Sequence, residues 1–160
     1  VGPPSTDRTA SPSGPPDHPT LVAMLGVRRG DWFSPRPWLR GVESIRRVYR
    51  QAGYASVDLY EDTQIDPRTA TVALTLHVDR GPRVSFTRVA VQGRSRVSES
   101  TILALADLPP DTPFSLTRLE RARARIEASP EFQQVRVQWG YDLEHREQVL
   151  VVIIVTERTP

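Results

Sequence analysis

The residues able to do acid–base, nucleophilic or metal chemistry are few and scattered. Cysteine is absent, which excludes disulfides, thiolate metal sites and cysteine nucleophiles. The three histidines, His18, His77 and His145, make no ligand pair at helical or strand spacing. Asp58, Glu61, Asp62 and Asp66 offer oxygens that a hard cation would use. Their spacing fits no EF-hand loop, and a solvated strand face accounts for them better. Arg118, Arg121, Arg123 and Arg125 share one segment with Glu120 and Glu127. The interleaved acids and the missing aromatic platform favour an exposed helix face over a nucleic-acid surface. Gly93-Arg94-Ser95-Arg96 lacks the glycine spacing and the lysine of a phosphate loop. No serine or histidine stands in a triad-like setting. The sequence therefore calls for no catalysis, no metal, no cofactor and no nucleic acid.

Composition sets the frame for what remains. The chain has 160 residues, room for one ordinary domain or two small ones. With 38% hydrophobic and 25% charged residues, it is not a disordered polyelectrolyte. All 21 basic residues are arginine, and against 19 acids the net charge is only +2. That balance is too even for binding driven by phosphate neutralisation. No stretch approaches the ~20 apolar residues that span a bilayer as a helix. There is no charged n-region followed by an apolar run, so any signal peptide is expected upstream or already removed.

The organisation is a tail followed by one unit used twice. Residues 1–20 carry six prolines among Ser, Thr and Gly, which predicts a disordered tail or linker. Sliding residues 21–34 onto 102–115, an offset of 81, aligns Leu21 with Ile102, Val22 with Leu103 and Val27 with Leu108. Phe33-Ser34 then falls on Phe114-Ser115. After three extra residues in the first copy, Tyr54-x-x-Val57-x-Leu59 matches Phe132-x-x-Val135-x-Val137. Both copies end in a β-branched run, at residues 71–78 and 149–155. Domains are thus expected at 21–81 and 82–158, joined near Gly81-Pro82 by a linker short enough to couple them.

Within the second copy, residues 84–91 read as a strand and Ser98 caps a helix over 98–108. Pro109 and Pro110 stop that helix. Ser115 caps a second helix with Leu119, Ala122 and Ile126 on one stripe. Val135, Val137, Trp139 and Tyr141 alternate as one strand face. Residues 148–156 are apolar on both faces, which predicts a central strand. The first copy repeats the pattern with helices at 21–27 and from Ser34-Pro35 to Gly53, then strands at 54–61 and 71–79. The opening strand it would need, at residues 5–12, is Pro, Ser and charge, so this copy is read as lacking it. Trp32, Trp38 and Trp139 are expected in cores. The fold class is α+β: two β-α-α-β-β units, each a three-stranded mixed sheet with two helices on one face, the first without its opening strand.

Arg80-Gly81-Pro82, Phe86-x-x-Val89-x-Val91-x-Gly93, Phe114, Pro130-Glu131-Phe132-x-x-Val135-x-Val137 and residues 149–157 together resemble a polypeptide-transport-associated, or POTRA, domain. In the first copy Gly30, Phe33, Tyr49-x-x-x-Gly53-Tyr54 and residues 72–81 are similar to the same family. Pro130-Glu131 departs from the family, where a glycine often precedes the aromatic residue. The resemblance implies a periplasmic module ahead of an outer-membrane β-barrel, as in BamA-like assembly proteins. It implies as partners unfolded outer-membrane clients, accessory assembly subunits and the C-terminal barrel of the parent chain. It also admits a scaffold or spacer in a two-partner secretion transporter or a cell-division protein.

The physics of small open sheets leads to the same kind of role. A free edge presents unpaired N–H and C=O groups on which an extended client adds as a further strand, whatever its side chains. The exposed edges are expected at residues 54–61 and 133–141. The candidate client-binding residues are Tyr54, Val57, Asp58 and Leu59, with Gln133, Val135, Arg136 and Val137. Asp58, Glu61 and Arg136 suit two roles equally, contacts to a docked chain or charges that discourage edge aggregation.

Overall fold

The computed structural model describes residues 16–141, 145 and 147–158. The first unit opens with α1 (His18–Met24), capped by the Asp17 carboxylate, which accepts from the Thr20 amide at 3.2 Å. The helix begins inside the segment read as a disordered tail. Asp17 supplies an N-cap and Pro19 sits in the first turn, where its missing N–H costs nothing. Residues 1–15 of that tail, with positions 5–12 where the first copy is read as lacking its opening strand, lie outside the described residues. Next comes α2 (Pro35–Gln51), which buries Trp38, Val42, Ile45 and Tyr49 on one stripe. Ser34 takes the N-cap position, but its side chain makes no capping hydrogen bond. Gly53 follows the helix with φ +99°, the left-handed conformation expected of it. Gly41 allows α1 to cross α2 closely, since a Cβ there would stand 2.4 Å from Leu25 Cα.

Two strands complete the first unit, β1 (Asp58–Asp66) and β2 (Thr71–Asp79), paired antiparallel from Asp58 opposite Asp79 to Asp66 opposite Thr71. Asp66 holds the connecting turn, accepting from the Arg68 amide and the Thr69 hydroxyl. Trp38 ties helix to sheet by donating its indole N–H to Glu61 Oε2 at 2.7 Å. Val72, Leu74 and Leu76 are half-buried toward the core, and Val78 is exposed.

The second unit is β3 (Ser85–Gln92), α3 (Glu99–Ala106), α4 (Leu116–Glu127), β4 (Phe132–Tyr141) and β5 (Gln148–Glu157). The sheet order is β3-β5-β4, with β5 parallel to β3 and antiparallel to β4. The central position expected for the strand apolar on both faces is the one observed. Val149, Val151, Ile153 and Val155 are at most 2% exposed. They join Phe86, Phe114, Phe132, Ile102 and Ile126 in one core with α3 and α4. Ser98 caps α3 through the Thr101 amide, whereas Ser115 at the start of α4 makes no such bond.

The end of β5 is latched to the loop after β3. Glu157, whose side chain is 5% exposed, accepts from the Ser95 amide at 2.7 Å, the Ser95 hydroxyl at 2.8 Å and the Val97 amide at 3.0 Å. These amides, Ser95 foremost, hold its pKa down from 4.5 to about 2.

The units touch along the short linker. The Val84 amide donates to the Gly53 carbonyl at 3.0 Å, and Arg83 Nε donates to the Ala52 carbonyl at 3.2 Å. Arg47 of α2 makes a two-oxygen bond to Glu120 of α4 at 2.7 and 2.9 Å. Arg50 lies over the Trp139 ring, 5.7 Å from its centroid. Ala55, from the first unit, is buried in the second unit's core.

Two outcomes follow from this frame. Among the described residues sixteen buried apolar side chains form the second core and seven the first, and β2 has one partner strand where β5 has two. Amide exchange should therefore be faster in residues 71–78 than in 149–155. Equal protection in a demonstrated monomer would show that the first sheet is completed by something else. For Glu157 the folded pKa is depressed, so its contribution is whole above pH 4.5 and is lost as pH falls through about 2. Glu157→Gln should flatten the acid limb of stability in that window while lowering the thermal midpoint at neutral pH. An acid limb identical to the parent's would place the carboxylate outside the latch.

Candidate functional site

Both sheets are small and open, and their edges are where backbone groups are available for chemistry between chains. In the first sheet both strands are edge strands. In the second, β3 and β4 each keep one outer side. Among the described residues no strand pairs with any of these outer sides.

The expected site residues divide between edge and core. Tyr54 and Val57 precede β1 and are buried, 9% and 5% exposed, in the core under α2. Tyr54 meets Tyr49 edge-on at 5.9 Å, with Arg80 and Arg83 over its ring at 5.6 and 5.9 Å. They cannot serve as ladder residues because β2 ends at Asp79. The Gly81-Pro82 that follows leaves nothing to pair with 54–57. The strand expected at 54–61 instead runs four residues later. Asp58 does open it, its carboxylate accepting from the Leu59 amide at 2.9 Å, and Leu59 is its one buried position.

On β4, Gln133 lies at a bulge and is exposed, Val135 points into the core, Arg136 is exposed and Val137 is half-buried. These four do share an edge strand. Near the far end of that strand the Trp139 side chain packs against Phe114, ring centroids 5.0 Å apart, and under Arg50 of the first unit.

The charged clusters read from sequence are accounted for in part within the chain. Glu61 serves Trp38, Asp66 serves its turn, Arg125 pairs with Asp107 at 2.8 Å and Arg123 with Glu127 at 3.5 Å. Among the described residues no three His, Asp or Glu side chains converge on a metal position. Among the described residues no helix is long and apolar enough to cross a membrane. Trp32, expected in a core, is 97% exposed. It sits in the Arg-Gly-Asp-rich loop before α2, with no strand or helix to fold it inward. Sequence reasoning also missed the outer side of β3 as an edge. Its one signal was that a strand in second place from the sheet centre must expose its other side.

Two POTRA family models match the chain, one described as "Surface antigen variable number repeat" over residues 17–81 and one as "POTRA domain, FtsQ-type" over residues 84–141. The outer membrane protein assembly factor BamA of Neisseria meningitidis serogroup B is 20% identical over 116 residues, 72% of this chain and 15% of that protein. The crystal structure of Haemophilus influenzae BamA POTRA3-5 superposes with a TM-score of 0.75 at 21% identity, covering 87% of this chain and 55% of that one. BamA from Haemophilus ducreyi lacking POTRA domains 1-3 gives 0.72 at 18% identity, over 87% of this chain and 26% of that one. The chain thus spans about half or less of the length of these relatives, and at such identities the structures establish the fold. With one family match on each sheet-and-helix unit, the chain belongs to the POTRA family and carries two POTRA domains in tandem, as BamA-like proteins do.

Proposed function

We propose that this chain is the periplasmic POTRA module of an outer-membrane protein assembly or translocation factor. It holds unfolded clients and accessory subunits by strand addition and is not itself an enzyme. The observation that carries this reading is the set of open strand edges on both sheets, presented by two units in contact with each other. Main-chain pairing reads no side chains, which suits a binder of many clients. The charges on the edges, Asp58 and Arg136 among them, keep two such molecules from pairing with each other while leaving the backbone available.

The solved relatives support a position as well. One contains POTRA domains 3 to 5 and the other lacks domains 1 to 3, so domains after the third are what they share. On this reading the pair stands close to a C-terminal barrel of the parent chain, where a client strand would be handed on. The proposed domain limits are 21–81 and 82–158, with α1 extending the first to His18.

Backbone dependence is the testable content. An unfolded peptide of alternating apolar and polar residues should bind the full chain. The same peptide N-methylated at alternate residues should bind about tenfold more weakly, the equivalent of one or two ladder hydrogen bonds. Isothermal titration measures both. Equal affinities would mean that side chains alone do the binding, and no binding of either would make the module a spacer.

A further inference from the structure

The outer side of β3 is closed only at its start. There the Phe86 amide donates to the Thr112 carbonyl at 2.9 Å, the Asp111 amide to the Phe86 carbonyl at 2.7 Å and the Phe114 amide to the Val84 carbonyl at 2.9 Å. Pro113 forms an isolated antiparallel bridge with Ser85. Before this contact the chain has turned away through Pro109-Pro110 and Asp111, whose φ is +59°. From Arg88 to Gln92 the outer side of β3 has no partner strand among the described residues.

Beside that open stretch lies a cleft of about 480 Å³ between β3 and α3. Phe86, Val89, Leu103, Leu108 and Pro109 supply an apolar wall. Thr87 lines it as well, at the bulge of β3, with its hydroxyl buried and without a hydrogen-bond partner. A second cleft of about 250 Å³ adjoins the first through Asp107 and Pro109, and its remaining walls are Arg118, Arg121 and Arg125. Asp107 is taken by Arg125 at 2.8 Å. Arg118 and Arg121 make no ion pair among the described residues, and Arg88 is exposed on the open edge. No other carboxylate lines either cleft.

We propose that the β3 edge and these two clefts form one docking site for an extended acidic peptide. Its backbone pairs with β3 from Arg88 onward, an apolar side chain enters the cleft between β3 and α3, and a carboxylate meets Arg118 and Arg121. An open strand edge selects a polypeptide. The apolar cleft selects a side chain without charge, and the unpaired arginines select the sign of the flanking charge. The inference rests on the strand-addition reading and adds which edge is used and what the ligand must carry.

The test uses two ten-residue peptides of one alternating apolar pattern, one ending in two aspartates and the other in two arginines. Each is titrated into the ¹⁵N-labelled full chain. The acidic peptide should move amide signals of β3 and α3 and bind about tenfold more tightly than the basic one. Ala104 is an exposed position on α3 that lines the first cleft, so Ala104→Trp blocks the cleft without entering the core. That variant and the Arg118→Glu/Arg121→Glu variant should each weaken the acidic peptide about tenfold with circular dichroism unchanged. Parent-like binding by the folded variants, or equal binding of the two peptides, overturns the proposal. If the signals that move lie on β2 or β4 instead, strand addition survives and this site does not. If no strand responds, both readings fall.

Discussion

The structure depends on β5. Among the described residues it alone is flanked on both sides, by β3 in parallel and β4 antiparallel, and one face of it is entirely buried under two helices. Its last residue, Glu157, reaches across to fasten the loop that leads from β3 into α3. Remove that strand and β3 and β4 have no common partner, while α3 and α4 lose the surface they cover. Among the described residues the first unit has the same design with one flanking strand fewer. There β2 takes the place of β5, its apolar positions only half-buried, and a smaller core under α2 does the holding.

That asymmetry has a functional side. A complete sheet is stable enough to offer its outer strands without coming apart, while a two-stranded sheet is marginal by itself. The junction supports the weaker unit: the Gly53 and Ala52 carbonyls accept from residues of the linker, and Ala55 is buried in the neighbouring core. The two units therefore lean on one another, and side-chain and backbone contacts across the linker fix the spacing of their edges.

Much of the fold was legible because burial writes itself into residue type. A seven-residue apolar run bounded by polar residues has few places to go but the middle of a sheet, and β5 went there. Matching Phe33-Ser34 to Phe114-Ser115 located both long helices. The match of Tyr54-x-x-Val57 to Phe132-x-x-Val135 was right about burial and wrong about pairing, because a ladder depends on the partner strand, which Gly81-Pro82 cuts short. Asp17 and Pro19 are an ordinary helix start, hidden by the prolines around them. Trp32 obeys no pattern within its own loop, so a rule about residue type misplaced it. The β3 edge was the hardest to see. Whether it is open depends on where the chain from Pro109 to Phe114 passes, a tertiary fact with no periodicity behind it.

The central claim is that clients are held by backbone addition to open edges. Hydrogen–deuterium exchange on the full chain, with and without a saturating unfolded outer-membrane client, addresses it directly. The account predicts that protection rises in an outer strand, β1, β2, β3 or β4, while β5 is unchanged because its ladders are already complete. Protection that rises only in the helices, or in no strand at all, would contradict it.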